Sequence, residues 1–119
     1  MFKSTIVLFF VLVIGFQSNA QLPQLRGVDC NRSNTQLYQN LYANLTGGSQ
    51  YRFRVTNTTT GVTDSVTNAT RAFNLNQMST LNRYNCNYAV QVSMDNGSGF
   101  GAYGNVCNPS SVALTTQLR

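Results

Sequence analysis

The stretch that decides the fold is YNCNYAVQVSMDNGSGFGAYGNVC, residues 84–107. In residues 88–94, apolar side chains alternate with small or polar ones, a period of two that is typical of a strand with one buried face. Residues 95–99 are Asp-Asn-Gly-Ser-Gly, a composition that favours reversal of the chain. The stretch therefore predicts a β-hairpin. Its returning strand is expected to bury three residues in the same core: Phe100, Ala102 and Val106.

Turn signals divide the rest of the chain into further short strands. The clearest is residues 51–55, where Tyr, Phe and Val alternate with two arginines. The other predicted strands are residues 22–28, 40–45, 62–67, 71–75 and 112–118, with 62–67 at a sheet edge. Leucines at 37, 41 and 45 also fit a helical face, and a strand is preferred because its neighbours are strands. Strands at this spacing predict an all-β fold, an antiparallel β-sandwich with no dependable helix.

The same alternation predicts which residues form the core. Those expected to be buried are Tyr51, Phe53, Val55, Phe73, Leu75, Tyr88, Val90 and Val92. Those expected on the solvent side are Arg52, Arg54, Gln91 and Ser93. An error of one residue in register would exchange the two faces of the sheet.

Residues 1–20 are not expected to belong to this domain. Lys3 precedes an apolar run at residues 6–16, and Ser18-Asn19-Ala20 provides the small residues that precede a cleavage site at Gln21. The run is too short for a comfortable bilayer span. We therefore predict a signal peptide at residues 1–20, a β-sandwich domain at 21–111, and a linker or the start of a further repeat at 112–119. The mature chain is expected to have no membrane span.

The charged residues after residue 20 are seven arginines and three aspartates, and the chain has no histidine. The arginines are scattered, which indicates a solvated surface and does not favour nucleic acid as a partner. Without histidine, Ser/His and Cys/His catalysis are excluded and a zinc site is not expected. The carboxylates lie in or beside predicted turns, which disfavours a paired-carboxylate hydrolase. The sequence therefore predicts no catalytic residue, no metal and no cofactor.

The first strand of the hairpin resembles a strand of fibronectin type III domains. Residues 86–92, CNYAVQV, are similar to the Thr-x-Tyr-x-Val-x-Val pattern of that family, with Cys86 in the position of the threonine. A closer resemblance covers almost the whole chain after residue 20. Four segments of the chain resemble a tandem repeat. That repeat occurs in very long secreted and surface proteins of gliding-type Gram-negative bacteria. The four segments are QLR at 24–26 with Cys30, YRFRV at 51–55, YAVQV at 88–92 and AYGNVC at 102–107.

This resemblance implies a spacer or adhesin-type β-sandwich module without catalytic residues. The signal peptide predicts that the module is exported, and is therefore secreted or held at the cell surface. The resemblance implies that its partners are neighbouring repeats of the same polypeptide or surface glycans and proteins. Gln24-Leu25-Arg26 also reappears as Gln117-Leu118-Arg119, 93 residues later, which is about the length of one such domain. The second copy predicts that another repeat starts there.

A carbohydrate-binding module of a secreted hydrolase is the alternative interpretation. Sugar rings commonly stack on exposed aromatic side chains, whose faces are large and apolar. Most aromatic residues of the chain follow the strand alternation and are assigned to the core. The possible ligand face consists of three tyrosines outside that set: Tyr38, Tyr42 and Tyr103.

Three cysteines in an exported chain allow one internal disulfide. In a fibronectin-like sandwich the first and last strands run in the same direction, which would bring Cys30 and Cys107 to one pole of the module. We predict the Cys30–Cys107 bond, which leaves Cys86 as a small buried hydrophobe. Cys86–Cys107 stays open as the competing pair, because a hairpin folded tightly about residues 96–97 sets these two residues opposite each other.

Overall fold

The computed structural model of the chain describes residues 21–78, 80–81 and 83–113. The predicted signal peptide, the second Gln-Leu-Arg and residues 114–118 of the predicted last strand lie outside the described residues. In chain order the elements are helix α1 (Gly27–Cys30), β1 (Leu41–Tyr42), β2 (Gln50–Asn57), β3 (Thr63–Asn68), β4 (Ala72–Phe73), the 3-10 helix Leu75–Gln77 and β5 (Tyr88–Asp95). Antiparallel strands dominate and helix is nearly absent from this part of the chain, which confirms the all-β class. None of its helices has the length and apolar character needed to cross a membrane.

Strand β2 is the centre of a three-stranded antiparallel sheet. Its ladder with β5 continues over eight residue pairs, and β3 lies at the opposite edge, as predicted. Aromatic and β-branched side chains fit this pleated surface. Their alternation along β2 buries Tyr51, Phe53 and Val55 on one face, whereas Arg52 and Arg54 project half-buried from the other.

A two-stranded antiparallel sheet of β1 and β4 faces the larger sheet across the core. Phe73 in β4 stacks on Phe53 in β2 with the ring centroids 4.6 Å apart, so both sheets contribute to one apolar core. The eight core residues predicted from the strand alternation of residues 51–55, 71–75 and 88–92 are all buried: Tyr51, Phe53, Val55, Phe73, Leu75, Tyr88, Val90 and Val92. The register predicted from the alternation is therefore confirmed for β2 and β5.

The returning half of the predicted hairpin is not a regular strand. Residues 100–107, named the return arm, contact β5 through two isolated bridges, Asp95–Phe100 and Val90–Cys107. Between these bridges β5 advances five residues and the arm advances seven. The two extra residues interrupt the alternation, as bulges do. The tight register that would have set Cys86 opposite Cys107 is therefore not formed.

The burial predicted for the return arm is wrong for the same reason. Ala102 and Val106 are exposed, and Phe100 is half-buried on the outer face of the sheet. The prediction of an exposed Ser93 is also wrong, because its hydroxyl donates to the carbonyl of Gly101 at 2.7 Å and the arm covers it. The other residues predicted on the solvent side are half-buried: Arg52, Arg54 and Gln91.

Gly104 allows the return arm to pass close to the start of the described chain. A Cβ at this position would lie 1.7 Å from the carbonyl oxygen of Pro23, so any other residue would displace the backbone. The N–H of Gly104 donates to the carbonyl of Val92 at 3.0 Å. Beside it, Nδ2 of Asn105 donates to Oε1 of Gln24 at 3.1 Å. The arm thus contacts both β5 and residues 23–24.

Three predicted strands are shorter than expected: residues 22–28, 40–45 and 71–75. The first contributes only a bridge between Leu25 and Ala43, because α1 begins two residues later. The second forms the two residues of β1, next to that bridge. In the third, β4 is followed at once by the 3-10 helix, whose N-terminus is held by a reciprocal capping box between Asn74 and Gln77. At β4, local capping therefore ends a strand that the alternation would have continued.

The disulfide joins Cys30, the last residue of α1, to Cys107 at the end of the return arm, as predicted. The two Cα atoms are 4.7 Å apart, and 77 positions separate them in sequence. Cys86 is buried and unbridged, and its thiol donates to the backbone carbonyl of Tyr84 at 3.1 Å. The bond therefore ties the first described helix to the irregular side of β5.

Candidate functional site

Two of the three tyrosines predicted to form a ligand face come from the segment before β2. The ring of Tyr38 is 76% exposed. Tyr42 is half-buried, with the guanidinium carbons of Arg26 and Arg71 lying 4.4 and 5.4 Å from its ring centroid. Tyr38 is therefore open to a stacking ligand, whereas Tyr42 already stacks on side chains of the protein.

Tyr103 belongs to the return arm and lies on the other side of the core. Its ring is half-buried, 3.9 Å from the guanidinium carbon of Arg54, which projects from the outer face of the three-stranded sheet. Tyr42 projects from the outer face of the smaller sheet, because its chain neighbours Leu41 and Ala43 are buried. Contacts among the described residues do not join the three tyrosines into one platform.

The return arm and the larger sheet together form a surface of stacked cationic and aromatic side chains. This surface, named the arginine face, consists of Arg52, Arg54, Phe100 and Tyr103. The guanidinium carbon of Arg52 lies 4.0 Å from the ring centroid of Phe100, and the pair of Arg54 and Tyr103 repeats this geometry. Each such contact is worth about 0.5–1 kcal/mol at an exposed site. The two pairs hold the arm against the sheet.

Hydrogen bonds fix both guanidinium groups of the arginine face. Nη2 of Arg54 donates to Oε1 of Gln91 at 2.7 Å, and Nε of Arg52 donates to Oγ1 of Thr67 at 3.3 Å. Neither arginine pairs with a carboxylate, since the ion pairs among the described residues both involve Asp29. The face is therefore cationic, and its guanidinium groups suit carboxylate or phosphate oxygens.

Asp29 is a fully buried carboxylate whose oxygens are all occupied. One oxygen accepts from Nε of Arg26 at 2.6 Å and from the backbone N–H of Tyr42 at 3.0 Å, and the other accepts from Nη1 of Arg32 at 3.1 Å. A buried carboxylate paired in this way locks α1 to β1 and is not available to a substrate. The sequence predicts only that Asp29 lies in or beside a turn. The signal for its role is an arginine three residues before it and another three residues after it.

The remaining two carboxylates are also engaged by neighbouring groups. Oδ1 of Asp95 accepts from the N–H groups of Gly97 and Gly99 at 2.8 and 3.1 Å, which closes the turn after β5. Asp64 accepts from the hydroxyl of Thr80 at 2.6 Å. Within the part of the chain that the structure describes, no group of three or more His, Cys, Asp or Glu side chains is placed to hold a metal ion.

Among the described residues, Tyr88 is the titratable residue whose pKa is clearly shifted by its surroundings. Burial raises the pKa of its phenol above the ordinary value, because the charged form would lose its hydration in the core. Its hydroxyl lies 3.4 Å from Oγ of Ser111 and donates to it. The phenol is therefore neutral at physiological pH and acts as a packing group with a satisfied polar end.

No match was found for this chain among protein-family models, curated proteins or solved structures.

Proposed function

We propose that this protein is a non-catalytic, secreted or cell-surface β-sandwich module of fibronectin type III type, and that it is one repeat of a larger surface protein. In that protein it acts as a spacer or an adhesive unit. Residues 1–20 are its proposed signal peptide, and residues 112–119 are a linker or the start of the next repeat. The observation that supports this most is that the segments resembling bacterial surface repeats contact one another in the fold.

These segments lie next to one another although they are far apart in sequence. Residues 51–55 and 88–92 belong to the paired strands β2 and β5. Cys107, at the end of the fourth segment, bridges Val90 and is covalently bonded to Cys30. A set of residues that serves one domain in this way is copied as a unit when a domain is duplicated, as in tandem arrays.

Each residue of the first Gln-Leu-Arg has a role at the start of the domain. Oε1 of Gln24 accepts from Nδ2 of Asn105 at 3.1 Å, Leu25 is fully buried, and Nε of Arg26 donates to Asp29 at 2.6 Å. The same three residue types at 117–119 are what the start of a second domain of this kind would need. This supports an array of such domains over a chance repetition of three residues.

The coding sequence beyond Arg119 is the direct test of the array. We expect further copies of the unit at a pitch of about 93 residues, each with a Gln-Leu-Arg and a following cysteine. A catalytic domain in that position would contradict the proposal and favour a module attached to a hydrolase.

Export is supported by the disulfide, because such bonds persist in oxidising compartments. Amino-terminal sequencing of the protein recovered from the cell surface or medium should begin at Gln21. Titration of its thiols after denaturation should find one, at Cys86. A reduced chain retained in the cytoplasm with residues 1–20 still attached would contradict the proposed location.

The exposure of Tyr38 favours the carbohydrate-binding alternative, since its ring is 76% exposed. In that alternative Tyr38, Tyr42 and Tyr103 stack on sugar rings at separate positions, because the fold does not join them into one platform. Glycan-array binding that disappears in a Tyr42→Ala/Tyr103→Ala variant would support it. Binding that survives this variant would place the ligand elsewhere on the domain.

A further inference from the structure

A cleft of about 320 Å³ lies beside β4 and the 3-10 helix. Four of the residues that line it carry carboxamide side chains, and none of its lining residues is charged. We name it the carboxamide cleft, after these four residues: Asn40, Asn68, Asn74 and Gln77. They come from three separate parts of the chain, so the fold and not the local sequence brings them together.

The carboxamides on one side of the cleft are fixed by a reciprocal pair of hydrogen bonds. Nδ2 of Asn68 donates to Oε1 of Gln77 at 3.2 Å, and Nε2 of Gln77 donates back to Oδ1 of Asn68 at 3.1 Å. The backbone holds both partners, because Asn68 also donates to the carbonyl of Ala72 at 2.8 Å and Gln77 accepts from the N–H of Asn74 at 3.1 Å. These groups are oriented before any ligand arrives, which reduces the entropy cost of binding.

The cleft retains hydrogen-bonding capacity that the described residues do not use. Nδ2 of Asn74 donates one bond, to Oδ1 of Asn40 at 3.3 Å, and the amino group of Asn40 donates none within residues 21–78, 80–81 and 83–113. A carboxamide carries two N–H donors. Two donors of Asn40 and one each of Asn74 and Gln77 are therefore available, alongside the hydroxyl of Thr70, which also lines the cleft.

We propose that the carboxamide cleft binds a neutral saccharide. Sugar hydroxyls both donate and accept hydrogen bonds, and carboxamides do the same from one rigid plane. An ionic ligand would lose its hydration without meeting an opposite charge in the lining. The volume lies at the lower end of small-ligand sites, which suits a terminal sugar or a short segment of a glycan.

Tyr38 adds an aromatic ring to the same part of the molecule. It precedes Asn40 by two residues, and its neighbour Leu37 accepts at its carbonyl from the N–H of Asn76 in the 3-10 helix, at 3.0 Å. An exposed ring on the segment that lines the cleft offers an apolar surface for the face of a sugar. The saccharide would be the ligand through which the module adheres, so this proposal rests on the proposed function. The array and the saccharide can nevertheless fail separately, because one is read from the coding sequence and the other from binding.

The test uses the purified protein and side-chain amide signals in nitrogen–proton correlation spectra. The neutral probes are cellohexaose, mannohexaose and xylohexaose, and the acidic probe is hexagalacturonate. We expect at least one neutral probe to shift the amide signals of Asn40, Asn74 and Gln77 saturably, with a Kd of about 1 mM or tighter. Asn40→Asp removes two donors but keeps the acceptor for Asn74, so it should weaken this binding about tenfold while the protein stays folded.

Gln50→Glu is the matched control. It makes the same amide-to-carboxylate change at an exposed position of β2 that does not line the cleft, and it should leave binding unchanged. Equal weakening by the two variants would overturn the proposal, because a general charge effect would then explain both. The absence of saturable shifts with every neutral probe would also overturn it. Binding of hexagalacturonate alone would overturn it and move the ligand to the arginine face.

Discussion

Strand β5 has two antiparallel neighbours that are held in different ways. Toward β2 it forms eight consecutive pairs, and the alternate pairs that face the core bury large apolar side chains such as Phe53 and Val92. Toward the return arm it forms two bridges and several separate hydrogen bonds, and the arm is also held by a disulfide, a close contact at Gly104 and two arginine–aromatic pairs. Burial of apolar surface specifies the first neighbour. For the second neighbour, the return arm, a few specific contacts take the place of apolar burial.

The two neighbours should therefore respond differently to the same chemical change. Removing a ring from the β2 side opens a cavity in the shared core and should destabilise the whole domain. Removing a ring from the arm affects a surface that is already partly exposed to solvent, so it should destabilise the domain less. The following four predictions test that contrast.

The largest effect is expected for Phe53→Ala, which should lower the free energy of unfolding by about 4 kcal/mol. Phe53 is fully buried and stacks on Phe73. Phe100→Ala makes the same change on the arm and should cost only about 1 kcal/mol, because the ring is half-buried and loses mainly its contact with Arg52. Urea unfolding followed by circular dichroism measures both. Equal costs would mean that the arm is part of the core.

The second effect concerns the covalent bond. Cys30→Ser with Cys107→Ser should lower the free energy of unfolding by about 3 kcal/mol, somewhat below the chain-entropy value for a loop of this length. Hydrogen exchange should show which amides lose protection when the disulfide is removed. The amides of Tyr88 and Val90 donate to Pro109 and Cys107, so they should lose more protection than amides in β2. Cys86→Ala is the control and should leave this difference unchanged.

Gly104→Ala is expected to cost about 2 kcal/mol, since the new methyl group meets the backbone of Pro23 and forces the arm outward. Gly101→Ala is the matched control on the same arm. Its Cβ would meet only the carbonyl oxygen of Met94, at 3.8 Å, so the change should lie within about 0.5 kcal/mol. Thermal unfolding of the two variants compares them. A similar cost at both positions would show that the arm tolerates no side chain, whatever the space.

The smallest effect is expected for the pair of Arg54 and Tyr103. A double-mutant cycle with Arg54→Met and Tyr103→Leu should give a coupling of about 0.5–1 kcal/mol. The same cycle with Arg83→Met in place of Arg54→Met should give none, because Arg83 donates to Asn76 and not to the arm. Coupling in the second cycle would mean that general charge, and not the stacked pair, holds the ring.

The sequence predicts the part of the fold in which burial alone decides the structure. In β2 and β5 each residue's face follows from its position in the alternation, and the core residues predicted within these two strands are all buried. The return arm could not be predicted in this way. Phe100 and Val106 are apolar and look like strand residues, but the approach of Gly104 to Pro23 fixes the path of the arm. That contact joins segments 81 positions apart, which no local pattern reveals.

The candidate sites depend even more on distant contacts. The surroundings of Tyr42 are set by Arg71, which lies on another strand connection, and sequence alone gives no reason to pair them. The carboxamide cleft is harder still to foresee. Asparagine and glutamine have no periodic signature, and the bond between Asn74 and Asn40 spans 34 positions. Only the tertiary structure distinguishes these residues from the other carboxamides of a polar surface.

The Cys30–Cys107 bond also determines how the domain bears mechanical load. A chain pulled from its two ends transmits tension from residue 30 directly to residue 107 through the sulfur atoms, and the residues between them carry none of it. The sequence separation of 77 between the two cysteines would otherwise release roughly 260 Å of contour length on unfolding, at about 3.4 Å per residue. With this bond intact, the domain hardly lengthens under a pulling force even if it unfolds. After reduction, unfolding lets it extend.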